Sequence, residues 1–243
     1  MLTIDDCRLA YPDFAARYTL SVADRSLCAV VGPSGGGKTT LLHMIAGFET
    51  PYAGRLDFDG RDLLHLRPAK RPVALVFQDH NLFPHLSAAE NIALGIKPSL
   101  RLSAEERARL AEAVAAVGLE GLEDRRPGEM SGGQRQRVAL SRALVSRRPL
   151  ILLDEPFGAL DPGLRRSMIA LVDGLRRRWK ITIVMTIHTP DDVMDVAETM
   201  AFVADGEVIA AGAPREVLDP GRDARIAAFL GTFPLPSGLK RVD

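Results

Sequence analysis

Cysteine is scarce in this sequence: Cys7 and Cys28 are the only two in 243 residues. Two such residues make no disulfide framework and point to free thiols in a reducing compartment. An excess of either charge is missing too, since 31 Lys and Arg balance 31 Asp and Glu. A general binder of nucleic acid or of an anionic membrane surface needs a basic excess, which argues against both classes. Aromatic residues make up 5% of the chain, too few for a row of base-stacking platforms. Long apolar runs are absent. The best, LILL at 150–153 and ITIVMTI at 181–187, fall short of the ~18–20 residues that a membrane span requires. The opening MLTIDDCRLAYP carries Asp5 and Asp6 and no apolar stretch, unlike a secretory leader. The expectation is a soluble cytosolic chain that reaches a membrane only through a partner. What is present is an ordinary globular composition, 47% hydrophobic and 26% charged. A chain of this length buries roughly 70–75% of its unfolded surface and needs no covalent staple. One domain carrying a subdomain is the expected organisation.

Hydrophobic periodicity orders the elements. Alternation in TIDDCRLA and RYTLSVADRSLCAVV predicts strands with one wet face, and the continuous LCAVV (27–31) predicts a buried one. A glycine loop and a helix ending at Gly47 follow. PYAGRLDFDGRDL predicts a strand with a hairpin at Asp59-Gly60, and PVALVFQ (72–78) a further buried strand. From about 82 to 149 the texture is helical. Ser103 with Glu106 and Ser131 with Gln134 have capping-box spacing. PLILLDEP (149–156) and KITIVMTIH (180–188) read as buried strands. Helices are expected around 162–179 and 190–198, a hairpin at Asp205-Gly206, and a short helix in ARIAAFLG. Buried strands alternating with helices imply a parallel α/β core, with 82–149 inserted into it. The two cysteines are expected on neighbouring strands, with no function assigned.

Two segments carry chemistry on their own. Gly32, Pro33, Ser34, Gly35, Gly36, Gly37, Lys38 and Thr39 form G-x-x-x-x-G-K-[ST] between a buried strand and a helix. Glycines there let backbone N–H groups turn toward phosphate oxygens, and the helix adds its positive end. Lys38 is expected on the β/γ-phosphates, with Thr39 on Mg²⁺ and Thr40 beside it. The apolar strand ILL ends in Asp154 and Glu155. Asp154 is placed to hold Mg²⁺ through water, and Glu155 to polarise an attacking water.

Met130-Ser131-Gly132-Gly133-Gln134 resembles the signature sequence of ABC ATPases, with Met where Leu is usual. Together with the glycine loop, it marks residues 1–231 as similar to that family. The resemblance implies an α/β fold. It has a P-loop NTPase (RecA-like) core with a mainly parallel sheet, an N-terminal antiparallel β subdomain and an inserted α-helical subdomain. Core and β subdomain are expected at about 1–81 and 149–231, the helical subdomain at 82–148, and a tail at 232–243. The resemblance also implies roles for single residues. Gln78 is similar to the Q-loop glutamine that senses Mg²⁺ and water, Asp161 to the D-loop aspartate at a dimer interface, and His188 to the switch histidine. Ile187 stands where a Ser or Thr commonly precedes that histidine, which leaves the hydrogen bonding around it open. Tyr11 resembles the aromatic that stacks on adenine.

In the family, two copies meet head to tail. The capped helix start at 131–134 of one copy then faces the γ-phosphate held by the other. Hydrolysis of ATP would separate them, a ligand-driven switch. A transmembrane permease is the implied direct partner, docking near Leu82 and Phe83, with a periplasmic or extracellular solute-binding protein acting indirectly. The implied place is the cytoplasmic side of the inner membrane. The strings AGFETPYAG, VFQDHNLFPHLSAAENIALGI and KPSLRLSAEER are similar to ATPases of thiamine or thiamine pyrophosphate importers. Ferric-ion, sulfate and other small-solute importers are the alternatives. An ABC ATPase working on nucleic acid or ribosomes is a rival that the neutral charge disfavours. A soluble P-loop kinase or GTPase is another; neither has a use for SGGQ, and the N-K-x-D motif of a GTPase is absent.

Overall fold

The structure, a computed structural model, describes residues 1–231. The expectation of a tail at 232–243 lies outside them. Ten strands form one sheet: β1 (Leu2–Ala10), β2 (Ala15–Val22), β3 (Leu27–Val31), β4 (Ala53–Phe58), β5 (Arg61–Asp62), β6 (Val73–Val76), β7 (Leu150–Leu153), β8 (Thr182–Thr186), β9 (Thr199–Ala204) and β10 (Glu207–Gly212). The helices are α1 (Lys38–Ala46), α2 (Ala88–Ala93), α3 (Ala104–Ala116), α4 (Gly132–Val145), α5 (Pro162–Trp179), α6 (Pro214–Val217) and α7 (Ala224–Gly231). The strand order is β5-β4-β1-β2-β10-β9-β3-β8-β7-β6. Strands β9, β3, β8, β7 and β6 run parallel, whereas β5, β4, β1 and β2 pair antiparallel. The sheet therefore joins a parallel crossover core to an antiparallel wing, as the alternating patterns require.

Local chemistry sets the element ends. Gly47 stops α1 in the left-handed region, and its N–H closes on the carbonyls of His43 and Met44. Ser103 and Ser131 each form a complete capping box. So does Ser87 with Glu90 on α2, a third box that the helical texture of 82–149 hides. Helices α2, α3 and α4 share one apolar cluster with β7, β8 and α5, while α1 and the antiparallel wing close the other face. The insertion is thus packed onto the core by common side chains such as Val138, Ile151 and Ile169.

Three expectations need correction. No α-helix forms over 190–198, only a 3-10 turn at Pro190–Val193. Val193 is fully buried and Asp192 pairs with Arg165 of α5 at 2.9 Å, so the segment lies against α5 instead of continuing as a helix. The strand at 72–78 is buried only at Val76. β6 is the sheet edge, paired only with β7, and Val73, Ala74 and Leu75 stay half-exposed. Cys7 and Cys28 do not sit on neighbouring strands, because β2, β10 and β9 lie between β1 and β3. Both thiols are free and buried.

Candidate functional site

The glycine loop leaves the C-terminal end of β3 and wraps onto α1, at the edge where the parallel strands end. Two glycines are dictated by backbone shape. Gly32 has φ +145, and a Cβ there would meet the Val203 carbonyl oxygen at 1.9 Å. Gly37 has φ +103 as the residue before α1, and its Cβ would meet the Tyr18 hydroxyl at 2.7 Å. That hydroxyl, fully buried, donates to the Gly37 carbonyl at 2.8 Å and pins the loop to β2. The pinned loop borders a hollow of about 340 Å³ lined by Phe14, Ser34, Gly35, Gly37, Lys38, Thr39, Thr40 and Glu155.

Lys38 is buried and its ammonium donates to the carbonyls of Gly32 at 3.0 Å and Pro33 at 2.9 Å. Glu155 Oε1 stands 3.9 Å away. Burial pulls the Lys38 pKa down, and the Glu155 and Asp154 carboxylates oppose that pull. Asp154 is almost fully buried at the end of β7 and its Oδ1 accepts from Thr39 Oγ1 at 3.1 Å. The Asp154 N–H donates to Val76 O at 2.9 Å, which brings the end of β6 alongside. Gln78 follows in the turn two residues beyond β6, exposed at the same edge. Glu155 has φ +42, a left-handed conformation uncommon for a carboxylate residue.

Thr186 matches none of the expected site positions, yet it organises both acids. Its hydroxyl donates to Asp154 Oδ1 at 2.9 Å and accepts the Glu155 N–H at 2.6 Å. Thr186 is the last residue of β8, one position before Ile187. A Thr at the end of a buried strand, two residues before a His, is the available signal. His188 itself is exposed just past β8 and lines a hollow with Pro33, Ser34 and Arg225, and a second with Glu155 and Arg165.

Tyr11 does not line the hollow over the glycine loop; Phe14 does. Tyr11 packs against the wing cluster, 6.0 Å from the Phe14 ring, and burial and Glu49 push its hydroxyl up to about 12.

Ser131, Gly132 and Gly133 form the start of α4, with Ser131 exposed, Gly132 half-buried and Gly133 buried, and Gln134 Oε1 accepts the Ser131 N–H at 2.9 Å. A Cβ on Gly133 would meet Leu164 of α5 at 3.0 Å, so this helix start abuts the one that Asp161 caps. Gln136 Nε2 donates to Pro156 O at 2.6 Å and ties α4 to the segment just after Glu155. Arg142 donates to the carbonyls of His80 and Asn81, tying α4 to the turn after Gln78 as well.

Among the described residues no group of three or more His, Cys, Asp or Glu side chains could cage a metal. The hard oxygens of Thr39 and Asp154 instead suit a cation that keeps waters and phosphate oxygens as its other ligands. No helix among the described residues is long and apolar enough to cross a membrane.

Comparison with known proteins agrees with this geometry. The ABC transporter family profile matches residues 16–158. The chain is 47% identical over 231 residues to the thiamine import ATP-binding protein ThiQ of Cereibacter sphaeroides, covering 95% of this chain and 100% of that one. It is 43% identical over 231 residues to ThiQ of Escherichia coli, covering 95% and 99%. Among solved structures, the dimeric ATP-binding cassette MJ0796 in a post-hydrolysis state with ADP and Pi superposes with a TM-score of 0.76. It is 29% identical, over 88% of this chain and 99% of that one. CbiO1 of Clostridium perfringens, part of the transporter complex cbiONQ, gives a TM-score of 0.81 at 26% identity, over 95% and 94%.

Proposed function

This chain belongs to the ABC transporter family, and from that premise we propose that it is the ATP-hydrolysing subunit of a bacterial importer for thiamine or thiamine pyrophosphate. The observation that carries the enzymatic part is the convergence of Lys38, Thr39 and Glu155 on one hollow, with Asp154 hydrogen-bonded to Thr39 behind it. The solute rests on the relatives, whose names specify thiamine import along nearly the whole chain.

In this reading residues 1–231 form one nucleotide-binding domain, with 82–148 as its helical subdomain. The triphosphate replaces the Gly32 and Pro33 carbonyls as partner of Lys38, and the loop amides of 35–40 take its oxygens. Phe14, with Tyr11 behind it, offers the apolar surface for the base. Thr39, Asp154 and Gln78 would hold Mg²⁺. When bound, Mg²⁺ neutralises charge developing on the phosphates. Glu155 takes the proton of the attacking water, and His188 faces the γ-phosphate. The Thr186 hydroxyl, which accepts the Glu155 N–H, and the Gln136–Pro156 contact hold the Glu155 segment in place.

The start of α4 is an anion site built from Ser131, Gly132 and Gly133, with Gln134 closing the capping box. In a head-to-tail pair it completes the cage of its partner's nucleotide, and Asp161 lines the seam. A permease in the inner membrane docks near Leu82 and the exposed Phe83, with the chain on the cytoplasmic side, and a solute-binding protein acts through that permease. The test is reconstitution with the permease and solute-binding protein: thiamine-loaded binding protein should raise ATPase turnover well above the solute-free level. Stimulation by an iron- or sulfate-loaded binding protein instead would reassign the solute.

A further inference from the structure

A second hollow lies at the opposite end of the parallel strands. It has a volume of about 490 Å³, within the range of small-ligand pockets, and shares no lining residue with the glycine-loop hollow. Its walls come from both parts of the molecule. Arg109 and Glu112 stand on α3 of the insertion, Ile151 near the start of β7, Trp179 at the end of α5, and Arg147, Arg148 and Lys180 on the exits from α4 and α5.

Four cations therefore line this hollow against one carboxylate. Glu112 is already faced by Arg178 at 3.2 Å. Arg148 spends its guanidinium on the carbonyls of Arg71 and Ala69. Arg109, Arg147 and Lys180 make no ion pair among the described residues, and the enclosed Arg109 Nε has no hydrogen-bond partner. The negative ends of α4 and α5 favour basic residues at 147 and 180. They do not account for Arg109, which sits inside the second turn of α3 with an enclosed, unused donor. Beside these donors is the half-buried indole of Trp179, an aromatic wall.

We propose that this hollow binds a small organic oxyanion carrying an aromatic ring, the oxyanion on Arg109 and Arg147 and the ring against Trp179. An arginine fork suits a phosphate or carboxylate, and the indole selects for a ring over a bare inorganic anion. Bound there, the ligand bridges the helical insertion and the sheet, away from the nucleotide.

Trp179 is the only tryptophan in the chain, so its emission reports this hollow alone. The experiment uses the full chain carrying Lys38→Ala, so that the glycine loop does not compete. Phenyl phosphate should quench Trp179 saturably, and both inorganic phosphate and phenol should bind at least about tenfold more weakly. Arg109→Gln with Arg147→Gln should weaken phenyl phosphate about tenfold or more, and Glu112→Gln should tighten it. Calorimetry on Trp179→Phe should still register the same ligand. Quenching that does not saturate, or an affinity indifferent to both changes of charge, overturns the proposal. Neither readout depends on nucleotide hydrolysis or on dimer formation.

Discussion

Thr186 Oγ1 donates to Asp154 Oδ1 at 2.9 Å while it accepts the Glu155 N–H at 2.6 Å. One buried hydroxyl thus sets the orientation of one acid and the backbone of the next, and Glu155 keeps a left-handed φ of +42 under that constraint. Thr186→Val preserves shape and leaves the Glu155 N–H unpaired, a loss of about 1–3 kcal/mol at a buried donor. ATP turnover should fall at least tenfold while nucleotide affinity changes little, and Thr186→Ser should restore most of it. Paired turnover and nucleotide-binding measurements on the two variants decide this; equal losses in both would make Thr186 merely a core residue.

Removing charge at Lys38 and at Glu155 should separate binding from chemistry. Lys38→Ala deletes the only buried cation at the glycine loop among the described residues and should abolish detectable ATP binding. Glu155→Gln keeps shape and hydrogen bonding but loses the base, so turnover should drop by about 10²-fold or more with ATP affinity retained. Size-exclusion chromatography should then show an ATP-stabilised dimer. Parental turnover in Glu155→Gln would remove Glu155 from the base role.

The start of α4 can be tested without touching the glycine loop. Ser131→Arg removes the capping box and places a bulky cation where a partner's γ-phosphate is proposed to sit. The variant should bind ATP as the parent does, fail to dimerise, and lose cooperative turnover. Unchanged cooperativity would contradict a shared site.

Arg71 makes a stability prediction. It is 1% exposed, and its guanidinium donates to the carbonyls of Met44, Ile45 and Leu66, capping the end of α1. Arg71→Ala removes the side-chain donor from all three carbonyls, of which Met44 O keeps the Gly47 N–H, and should destabilise the fold by about 2–4 kcal/mol in denaturant titration. Arg71→Lys should rescue little, because one ammonium cannot span three acceptors.

The thiols predict a pH dependence. Burial pushes both Cys7 and Cys28 up from 9.0 to about 11. The folded chain therefore holds these protons when the unfolded chain has begun to lose them. Their contribution to stability is complete below pH 9 and is lost as pH rises toward 11. Iodoacetamide at pH 8 should label neither thiol until denaturant unfolds the chain, and Cys7→Ser with Cys28→Ala should flatten the alkaline decline in melting temperature. Fast native labelling at pH 8 would contradict the burial.

The glycine loop, the Asp154-Glu155 pair and the capped start at Ser131 were legible from the chain alone, because each depends on spacing along a strand or a helix. Local rules also located α1, α3, α4 and α5 and two hairpins, since caps and periodicity act over a few residues. The 190–198 segment shows the limit: its apolar spacing suits a helix, but contacts with Arg165 and a buried Val193 override it. Which strand became an edge, and whether Cys7 neighbours Cys28, depended on an order of strands that sequence spacing does not encode. The same holds for Thr186 and Phe14. Each becomes part of the site only when β8 ends beside β7, or when the β1–β2 turn folds over the glycine loop. Short-range chemistry wrote the phosphate cradle into the sequence; long-range pairing, which must beat the entropy of closing large loops, chose the residues that surround it.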